Sequence, residues 1–302
     1  MENRKKILLG CLFAFLSETI FGISYIFTKL ATDVANTFDL LFWRGIVAFL
    51  TMTVCIVLGF VKVDYRGKKI GPLLLISLFN PIIYFIGETF GIKYTSASES
   101  GVILACIPIA SLILSAVFLH KKPFKNQVIG IIISLIGITV TVVAVSFSIT
   151  LSVPGYLLLI LAVFSYGMYT VQVERTKGYT NMEITYVMLI SSAIFYAVVA
   201  LIVSFKNGSV NELLTIPFKS SVFTFAVLFQ GVLCSMGGLL LATKAISLIG
   251  ANRTSSFIGV STVMSILGSV IFLHESFSIY QVIGAAIIII GIYIANYEIT
   301  KN

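Results

Sequence analysis

Charged residues are scarce in this chain. Asp, Glu, Lys and Arg make up only 11% of its 302 residues, whereas a typical soluble domain contains about 25%. Hydrophobic residues account for 58%, and the mean hydropathy is +1.07. So little charge cannot cover a globule of this length with polar surface, which excludes a soluble enzyme and predicts a surface that faces lipid. The formal charge of +8 is then expected to come from cytoplasmic loops rather than from a nucleic-acid-binding surface.

The sequence also lacks the patterns of metal sites, disulfides and catalytic centres. Its four cysteines lie in separate apolar stretches, without a CxxC or Cys/His spacing. No HExxH motif, paired aspartates or Ser/His couple lies inside an apolar run, so an enzyme of the membrane interior has no support. No P-loop pattern occurs, and no filter-like loop or ring of charges recurs, which disfavours an ATP-driven pump and a channel. We therefore expect no cofactor, no metal and no enzymatic activity.

Long apolar runs fill most of the sequence. About 20 helical residues cross a hydrocarbon core of about 30 Å, and runs this long favour helices over barrel strands, which alternate polar and apolar residues. No cleavage-site pattern follows the N-terminal run, so we expect a membrane span there rather than a signal peptide. The predicted fold is all-α with ten spans, at residues 7–31, 38–60, 71–92, 97–119, 126–146, 153–174, 182–204, 219–245, 250–273 and 279–298.

Lysine and arginine concentrate in alternate loops. The segments before the first span and after the second, fourth and sixth spans contain most of these residues, whereas the intervening loops contain little beyond Lys206 and Lys219. Because basic loops stay in the cytoplasm, both termini are expected to face the cytoplasm, with the protein in the plasma membrane.

The second half of the chain repeats the first. A shift of 154 residues aligns 91–138 with 245–292 without a gap, and 15 of the 48 aligned positions are identical. The sequence therefore predicts two five-span repeats, residues 1–150 and 151–302. An odd number of spans gives the repeats opposite orientations across the membrane. This inverted-repeat plan is typical of transporters whose substrate site lies near the midplane between the repeats.

Three sequence features carry a family resemblance. Asp39-Leu40-Leu41-Phe42-Trp43-Arg44 opens the second span, and Gly91-Ile92-Lys93-Tyr94-Thr95-Ser96-Ala97 leads into the fourth, which contains Pro108. The pattern His-x6-Gln-x2-Gly-x6-Gly occurs at His120 and again at His274. In these features the chain resembles the EamA branch of the drug/metabolite transporter superfamily, over essentially its whole length.

The resemblance implies a fold and a function. It implies ten helices, with the fifth and tenth spans at the periphery and the other eight around a central cavity. It also implies export, or sometimes import, of amino acids, other metabolites or drugs. The acid that usually follows the fourth and ninth spans is present as Glu275, but Lys121 occupies the corresponding place in the first half.

Glu18 is the deepest acid of the first span. It lies about eleven residues into the span, near the midplane. A carboxylate there costs about 2.5–3.5 kcal/mol, so it faces a cavity or a partner, and desolvation favours its protonated form. We predict that Glu18 binds a proton and a cationic substrate in turn. The alternative is a neutral glutamic acid that hydrogen-bonds to a neighbouring helix.

Glu88 and Arg44 lie at similar depths near the outer side. These depths permit a salt bridge that would compensate both charges without substrate. We assign Arg44 a structural or gating role, and Glu88 remains a candidate for both substrate binding and proton coupling.

Aromatic and amide side chains extend the candidate site. Tyr25 shares a helical face with Glu18, and Tyr84 shares one with Glu88. A cavity with tyrosines and carboxylates suits an organic cation or a zwitterion through charge and cation–π attraction, although membrane aromatics also pack helices together. The predicted substrate-contacting residues are Glu18, Tyr25, Trp43, Tyr84, Glu88, Tyr166, Tyr169 and Gln230.

The deep acids occur only in the first half. Glu88 corresponds to Ala242 at the 154-residue shift, and Glu18 corresponds to Val163 when Gly22 is aligned with Gly167. A requirement of the fold would recur in both halves, so this asymmetry favours a chemical role. We therefore expect a secondary active transporter, a proton-linked exporter of a small metabolite, that works by alternating access as a monomer or homodimer. An importer and a lipid flippase or scrambler on the same scaffold are the alternatives.

Overall fold

The computed structural model describes residues 2–95, 100, 103–143, 152–273 and 279–296. His274 and Glu275 lie outside these residues, as do parts of the fourth and fifth predicted spans. The helices are α1 (Glu2–Val34), α2 (Thr37–Val57), α3 (Gly71–Tyr94), α4 (Ile107–Leu119), α5 (Lys125–Val143), α6 (Val153–Arg175), α7 (Asn181–Asn207), α8 (Val210–Lys219), α9 (Ser221–Ile249), α10 (Ala251–Ser255), α11 (Ile258–Leu273) and α12 (Ile279–Asn296).

The all-helical prediction is confirmed. Within the described part of the chain, six helices are long and apolar enough to cross a membrane, namely α1, α2, α3, α6, α7 and α9. The apolar helices in α4, α5 and α12 are shorter over the residues described. Large apolar side chains cover the outside of the bundle, with Val57 80% exposed and Phe205 72% exposed. Such a surface matches lipid rather than water.

Helices α3 and α9 each contain a π-helical segment. In α3 the segment is Leu78–Ile83, where Asn80 departs from helical geometry with φ −142° and ψ 122° and Pro81 lacks an N–H group. In α9 the segment is Phe229–Gly238. A shift of 154 residues places 78–83 on 232–237, so the two segments occupy equivalent positions in the sequence repeat. π-Bulges inside helices frequently mark functional sites.

Side chains of neighbouring helices satisfy the carbonyl groups that the α3 break releases. The Tyr196 hydroxyl donates to the carbonyl oxygens of Pro81 and Ile82, at 3.1 and 2.7 Å. The Ser165 hydroxyl donates to the carbonyl oxygen of Phe79 at 2.6 Å. The break is therefore fixed against α6 and α7.

Helices α5 and α12 pack against each other in antiparallel directions. A Cβ atom added at Gly130 would lie 2.5 Å from the carbonyl oxygen of Gly291, and one added at Gly137 would lie 2.7 Å from that of Gly284. The sequence repeat relates Gly130 to Gly284 and Gly137 to Gly291, so the two contacts exchange when the two halves are exchanged. The glycines allow this close backbone approach, as small residues do in membrane helix pairs.

Replacement of Gly130 should separate α5 from α12. We expect Gly130→Leu to destabilise the protein by about 1–3 kcal/mol, because the new side chain meets backbone atoms that cannot rotate away. Gly71→Leu is the matched control, since a Cβ atom at Gly71 meets nothing within 4 Å. The apparent melting temperature of each purified variant in detergent measures the effect. Equal melting temperatures would contradict the close contact.

Helix α8 has no counterpart among the predicted elements. The sequence pattern predicts only a loop between the seventh and eighth spans, because Lys206-Asn207-Gly208 reads as a turn. In the structure, Leu213 on α8 is fully buried while Phe218 is 87% exposed. The helix is too short to span a membrane, and this two-sided exposure is typical of a helix that lies along the membrane surface.

Candidate functional site

Glu18 lies in the interior between three helices. One turn later, Gly22 allows α1 to approach α11 so closely that an added Cβ atom would lie 2.4 Å from the carbonyl oxygen of Ser261. Glu18 is 4% exposed, and the Tyr166 hydroxyl of α6 donates to its Oε1 at 3.3 Å. Ser261 of α11 lies near the carboxyl group, and its hydroxyl donates to the carbonyl oxygen of Ile258 at 2.6 Å. All of these direct partners are neutral.

Glu18 has no cationic partner among the described residues. The salt bridges Lys29–Asp33, Arg44–Glu88, Lys68–Glu183 and Lys121–Glu174 leave Glu18 out. A buried carboxylate without a compensating charge is costly. Such a group either holds a proton or accepts a cation from outside the protein.

Glu88 forms an ion pair with Arg44, as the similar depths of the two residues permit. Arg44 Nη1 lies 3.8 Å from Glu88 Oε2, and both side chains are at most 3% exposed. Arg44 Nε also donates to Ser235 Oγ at 2.8 Å, and its Cζ lies 3.6 Å from the centre of the Phe85 ring. The pair therefore ties α2 to α3 and to the π-helical segment of α9.

Tyrosines connect the two acids. The Tyr84 hydroxyl donates to Glu88 Oε1 at 3.2 Å, and the Tyr84 ring lies 5.2 Å from the Tyr166 ring, whose hydroxyl donates to Glu18. Tyr169 follows at 5.4 Å from Tyr166, and its hydroxyl has no hydrogen-bond partner among the described residues. The acid–tyrosine cluster, as we name it, consists of Glu18, Tyr25, Arg44, Tyr84, Glu88, Tyr166 and Tyr169.

Tyr25 completes the acid–tyrosine cluster from α1. It is 4% exposed and lies near the hydroxyl groups of Tyr84 and Ser261. It also lies close enough to Glu18 and Glu88 to interact electrostatically with both acids. The cluster thus contains both acids and all four tyrosines of the predicted site.

The other two residues of the predicted site lie outside this cluster. Trp43 Nε1 donates to the carbonyl oxygen of Leu213 at 2.8 Å and anchors α8. Gln230 Nε2 donates to Thr28 Oγ1 at 2.9 Å, one turn beyond Tyr25 on α1, and its Oε1 has no partner among the described residues. Gln230 therefore borders the cluster, whereas Trp43 belongs to the packing of the surface helix.

Trp43 offers a direct test of this placement. We expect Trp43→Phe to destabilise the protein by about 1 kcal/mol, because one partly buried hydrogen bond is lost. The apparent affinity for a transported compound should stay within about two-fold of the wild-type value, an energy difference of about 0.4 kcal/mol. Thermal melting and a substrate titration on the same preparation measure both quantities. A ten-fold loss of affinity with unchanged stability would place Trp43 in contact with substrate.

Four polar residues of the site were not anticipated from the sequence. Ser235 and Ser261 lie in the second half, where the repeat places Pro81 and Ile107 in the first half. A comparison of the two halves for polar residues present only in the second half could have found these two serines. Tyr196 of α7 lies near Arg44 and Glu88, and its hydroxyl donates to the carbonyl oxygens of Pro81 and Ile82.

Asn80 is the fourth of these residues. Its side chain is fully buried at the α3 break, and neither amide atom has a hydrogen-bond partner among the described residues. The following proline was the only sequence signal for the break. A buried amide without partners is costly, so it is expected to have a functional reason.

Ion pairs connect the loops at one end of the bundle. Lys68 Nζ donates to both carboxylate oxygens of Glu183, at 2.8 and 2.7 Å. Lys121 pairs with Glu174, whose Oε2 accepts the backbone N–H of Ala251 at 2.7 Å. These contacts join the α2–α3 loop to α7, and the α4–α5 loop to α6 and α10.

Comparisons with known proteins agree with this architecture. The chain matches the EamA-like transporter family over residues 8–143 and again over 153–297. It is 32% identical to the uncharacterized transporter YcxC of Bacillus subtilis over 293 residues, which cover 96% of this chain and 93% of the relative. It is 24% identical to an uncharacterized transporter of Archaeoglobus fulgidus over 281 residues, or 92% and 95% of the two chains.

A solved crystal structure shares the fold. It superposes with a TM-score of 0.70 at 17% sequence identity, over 98% of each chain. Family, relatives and apolar helices together describe a multi-pass membrane protein that transports small molecules. The chain belongs to the EamA-like transporter family.

Proposed function

We propose that this chain is a proton-linked exporter of a small metabolite that carries a cationic group, working by alternating access. The observation that carries the proposal is the carboxyl group of Glu18, which is buried among neutral hydroxyl groups and has no cation beside it in the described part of the chain. A proton and a cationic substrate can each neutralise this group, and they exclude one another.

Competition between the proton and the substrate for the carboxyl group of Glu18 couples the proton flux to the substrate flux. When the site opens to the cytoplasm, Glu18 releases its proton and binds the cationic group of the metabolite. When it opens outward, protons at higher concentration displace the metabolite. The bundle changes orientation only when the buried carboxyl is neutralised, because an uncompensated charge in the interior is costly.

The tyrosines would hold the rest of the substrate. Four tyrosine rings between Glu18 and Glu88 offer aromatic faces for cation–π contact and hydroxyl groups for hydrogen bonds. Glu88 is the second candidate for proton coupling and substrate binding. Its ion pair with Arg44 keeps it neutralised while the site is empty, and loosening of this pair would admit a second polar group of the substrate. Asn80 and Gln230 would supply further hydrogen bonds from the two π-helical segments.

The membrane arrangement forms part of the proposal. We infer ten spans in two inverted five-helix repeats, residues 1–150 and 151–302, with both termini in the cytoplasm and the protein in the plasma membrane, as a monomer or homodimer. The antiparallel contact of α5 with α12, which is symmetric under exchange of the halves, supports this arrangement. The equivalent π-helical segments and the repeated family match also support it.

The loop ion pairs would close the cytoplasmic end. Lys68–Glu183 and Lys121–Glu174 lie in loops that the distribution of basic residues assigns to the cytoplasm. They tie the α2–α3 loop to α7 and the α4–α5 loop to α6 at that end, so opening toward the cytoplasm requires these ion pairs to separate. The π-helical segments next to the acid–tyrosine cluster would absorb the bending.

A ligand screen followed by a transport assay tests the proposal. Purified protein is screened by thermal shift against cationic, zwitterionic and anionic metabolites, and compounds that raise the melting temperature are tested in proteoliposomes with an imposed pH gradient. We expect a cationic or zwitterionic compound to move against the proton flux. Transport in the same direction as protons would instead establish an importer. Movement of a labelled lipid without any metabolite flux would establish the flippase or scrambler.

A further inference from the structure

A separate cavity lies where two loops meet at one end of the bundle. Its volume is about 760 Å³, and it is bounded by residues 67–75 and 172–179. The volume falls within the range of about 300–1,000 Å³ that is typical of small-molecule sites. The cavity adjoins the start of Gly71–Tyr94 and the end of Val153–Arg175, two helices long enough to span a membrane. It therefore lies at the depth where lipid headgroups are found.

The charged residues that line this cavity are all positive. Lys68, Lys69, Arg175 and Lys177 line it, and only Lys68 has an acidic partner among the described residues, Glu183. The other three cations repel one another, and the partial negative charge at the C-terminal end of α6 offsets this repulsion in part. An anion in the cavity would neutralise them.

The walls of the cavity are held in place by contacts within the protein. The Tyr179 hydroxyl donates to the carbonyl oxygen of Lys69 at 2.5 Å, and Lys68 Nζ lies 5.8 Å from the centre of the Tyr179 ring. Gln172 lines the cavity with only 9% of its surface exposed. Its side-chain amide makes no hydrogen bond within the described part of the chain, so it is free to donate to a bound oxyanion. These features distinguish a formed site from a charged surface.

An apolar strip leads away from the cations. Pro72 and Leu75 form part of the cavity lining, and Leu75 is 41% exposed. Leu74 and Leu78 continue the strip along the outer face of α3, at 51% and 44% exposure. A free phosphate ion needs no apolar surface, whereas an acyl chain that follows a headgroup does. The combination therefore fits an amphipathic anion.

We propose that this cavity, the basic loop cavity, binds the phosphate headgroup of an anionic membrane phospholipid. The phosphate lies among Lys69, Arg175 and Lys177, Gln172 donates a hydrogen bond to it, and an acyl chain follows Leu74 and Leu75 along α3. Clusters of basic residues at the ends of membrane helices recognise anionic headgroups in this way. The site is separate from the acid–tyrosine cluster and does not depend on which metabolite is transported.

Lipid retention by purified protein tests the proposal. The full chain is exchanged into detergent with equal amounts of phosphatidylglycerol and phosphatidylcholine, and bound lipid is counted by native mass spectrometry. The triple variant Lys69→Gln, Arg175→Gln, Lys177→Gln is compared with the triple variant Lys5→Gln, Lys62→Gln, Lys125→Gln. The second set removes the same charge from the same group of basic segments but lies outside the cavity.

We expect the wild-type protein and the control variant to retain phosphatidylglycerol in preference to phosphatidylcholine. The cavity variant should retain about ten-fold less phosphatidylglycerol, with an unchanged melting temperature in lipid-free detergent. Equal losses in both variants would mean that surface charge alone attracts the lipid, and would overturn the site. Displacement of the lipid by millimolar inorganic phosphate would identify a free anion as the ligand and overturn the lipid assignment. Absence of preferential retention by the wild type would also overturn it.

Discussion

Glu18→Gln should reduce concentrative transport by about 100-fold, which corresponds to about 2.7 kcal/mol of lost charge pairing with the substrate. Glutamine has nearly the same volume and can still accept the hydrogen bond from Tyr166, so folding should be preserved. It cannot exchange a proton, however, so the residual transport should no longer respond to an imposed pH gradient. Initial rates in proteoliposomes, with and without the gradient, measure both effects for a compound found by thermal shift.

Other titratable groups surround Glu18, so the pH response of Glu18 has to be distinguished from theirs. Tyr25 on α1, Glu88 on α3, and Tyr166 and Tyr169 on α6 all interact electrostatically with its carboxyl group. Glu88→Gln alone should therefore retain a response to the pH gradient if Glu18 carries the proton. Glu212→Gln, on the exposed surface of α8, is the control and should leave transport unchanged. Wild-type rates and wild-type pH response in Glu18→Gln would contradict the proposed role.

Arg44→Met should destabilise the protein by about 3–5 kcal/mol, because it leaves the carboxylate of Glu88 buried without its compensating charge. Loss of the hydrogen bond to Ser235 and of the contact with Phe85 adds to the effect. The melting temperature of the purified variant in detergent measures this loss. Lys93→Met is the control for charge removal, since Lys93 lies exposed near the end of α3.

The double variant Arg44→Met, Glu88→Gln separates structure from transport. Removal of both charges should recover most of the stability, since no uncompensated charge remains in the interior. Transport should stay at least about ten-fold below the wild-type rate, or about 1.4 kcal/mol, if Glu88 contacts the substrate. Full recovery of both properties would show that the pair is only structural. Failure to recover stability would contradict a direct interaction between the two charges.

Much of the fold followed from apolar run length. The predicted spans 153–174 and 182–204 differ by at most three residues at either end from the helices Val153–Arg175 and Asn181–Asn207. Helix rise gives the height of a residue along its helix, so residue counts alone predicted heights for Arg44 and Glu88 that permit the ion pair found in the structure. Depth is set by the chain's own backbone and needs no knowledge of neighbouring helices.

The direction in which each side chain points from its helix was harder to predict. Trp43 adjoins Arg44 in the sequence, but consecutive residues of a helix do not face the same way. Arg44 points toward Glu88, whereas Trp43 points toward α8, a surface helix that the sequence pattern did not reveal. The contributions of Ser235 and Ser261 likewise depend on how α9 and α11 rotate against α1 and α2. These contacts depend on packing between segments far apart in the sequence, which no local pattern specifies.

The π-helical segments were predictable from the sequence only in part. Pro81 predicts a disturbance in α3, because proline removes one backbone hydrogen bond. The partners that stabilise the break come from Ser165 and Tyr196, on helices far along the chain. The segment in α9 contains no proline, so no residue of the sequence signals that α9 has a π-helical segment at the place equivalent to that in α3.

Proton movement on substrate addition is the most direct test of proton–substrate exchange at Glu18. Proteoliposomes with a pH-sensitive dye inside, and no imposed gradient, receive a compound that stabilises the protein in the thermal-shift screen. With the wild-type protein, substrate addition should change the internal pH through a proton flux opposite in direction to the substrate flux. With Glu18→Gln, the internal pH should not change. Substrate uptake by the wild type without any proton movement would contradict exchange at Glu18.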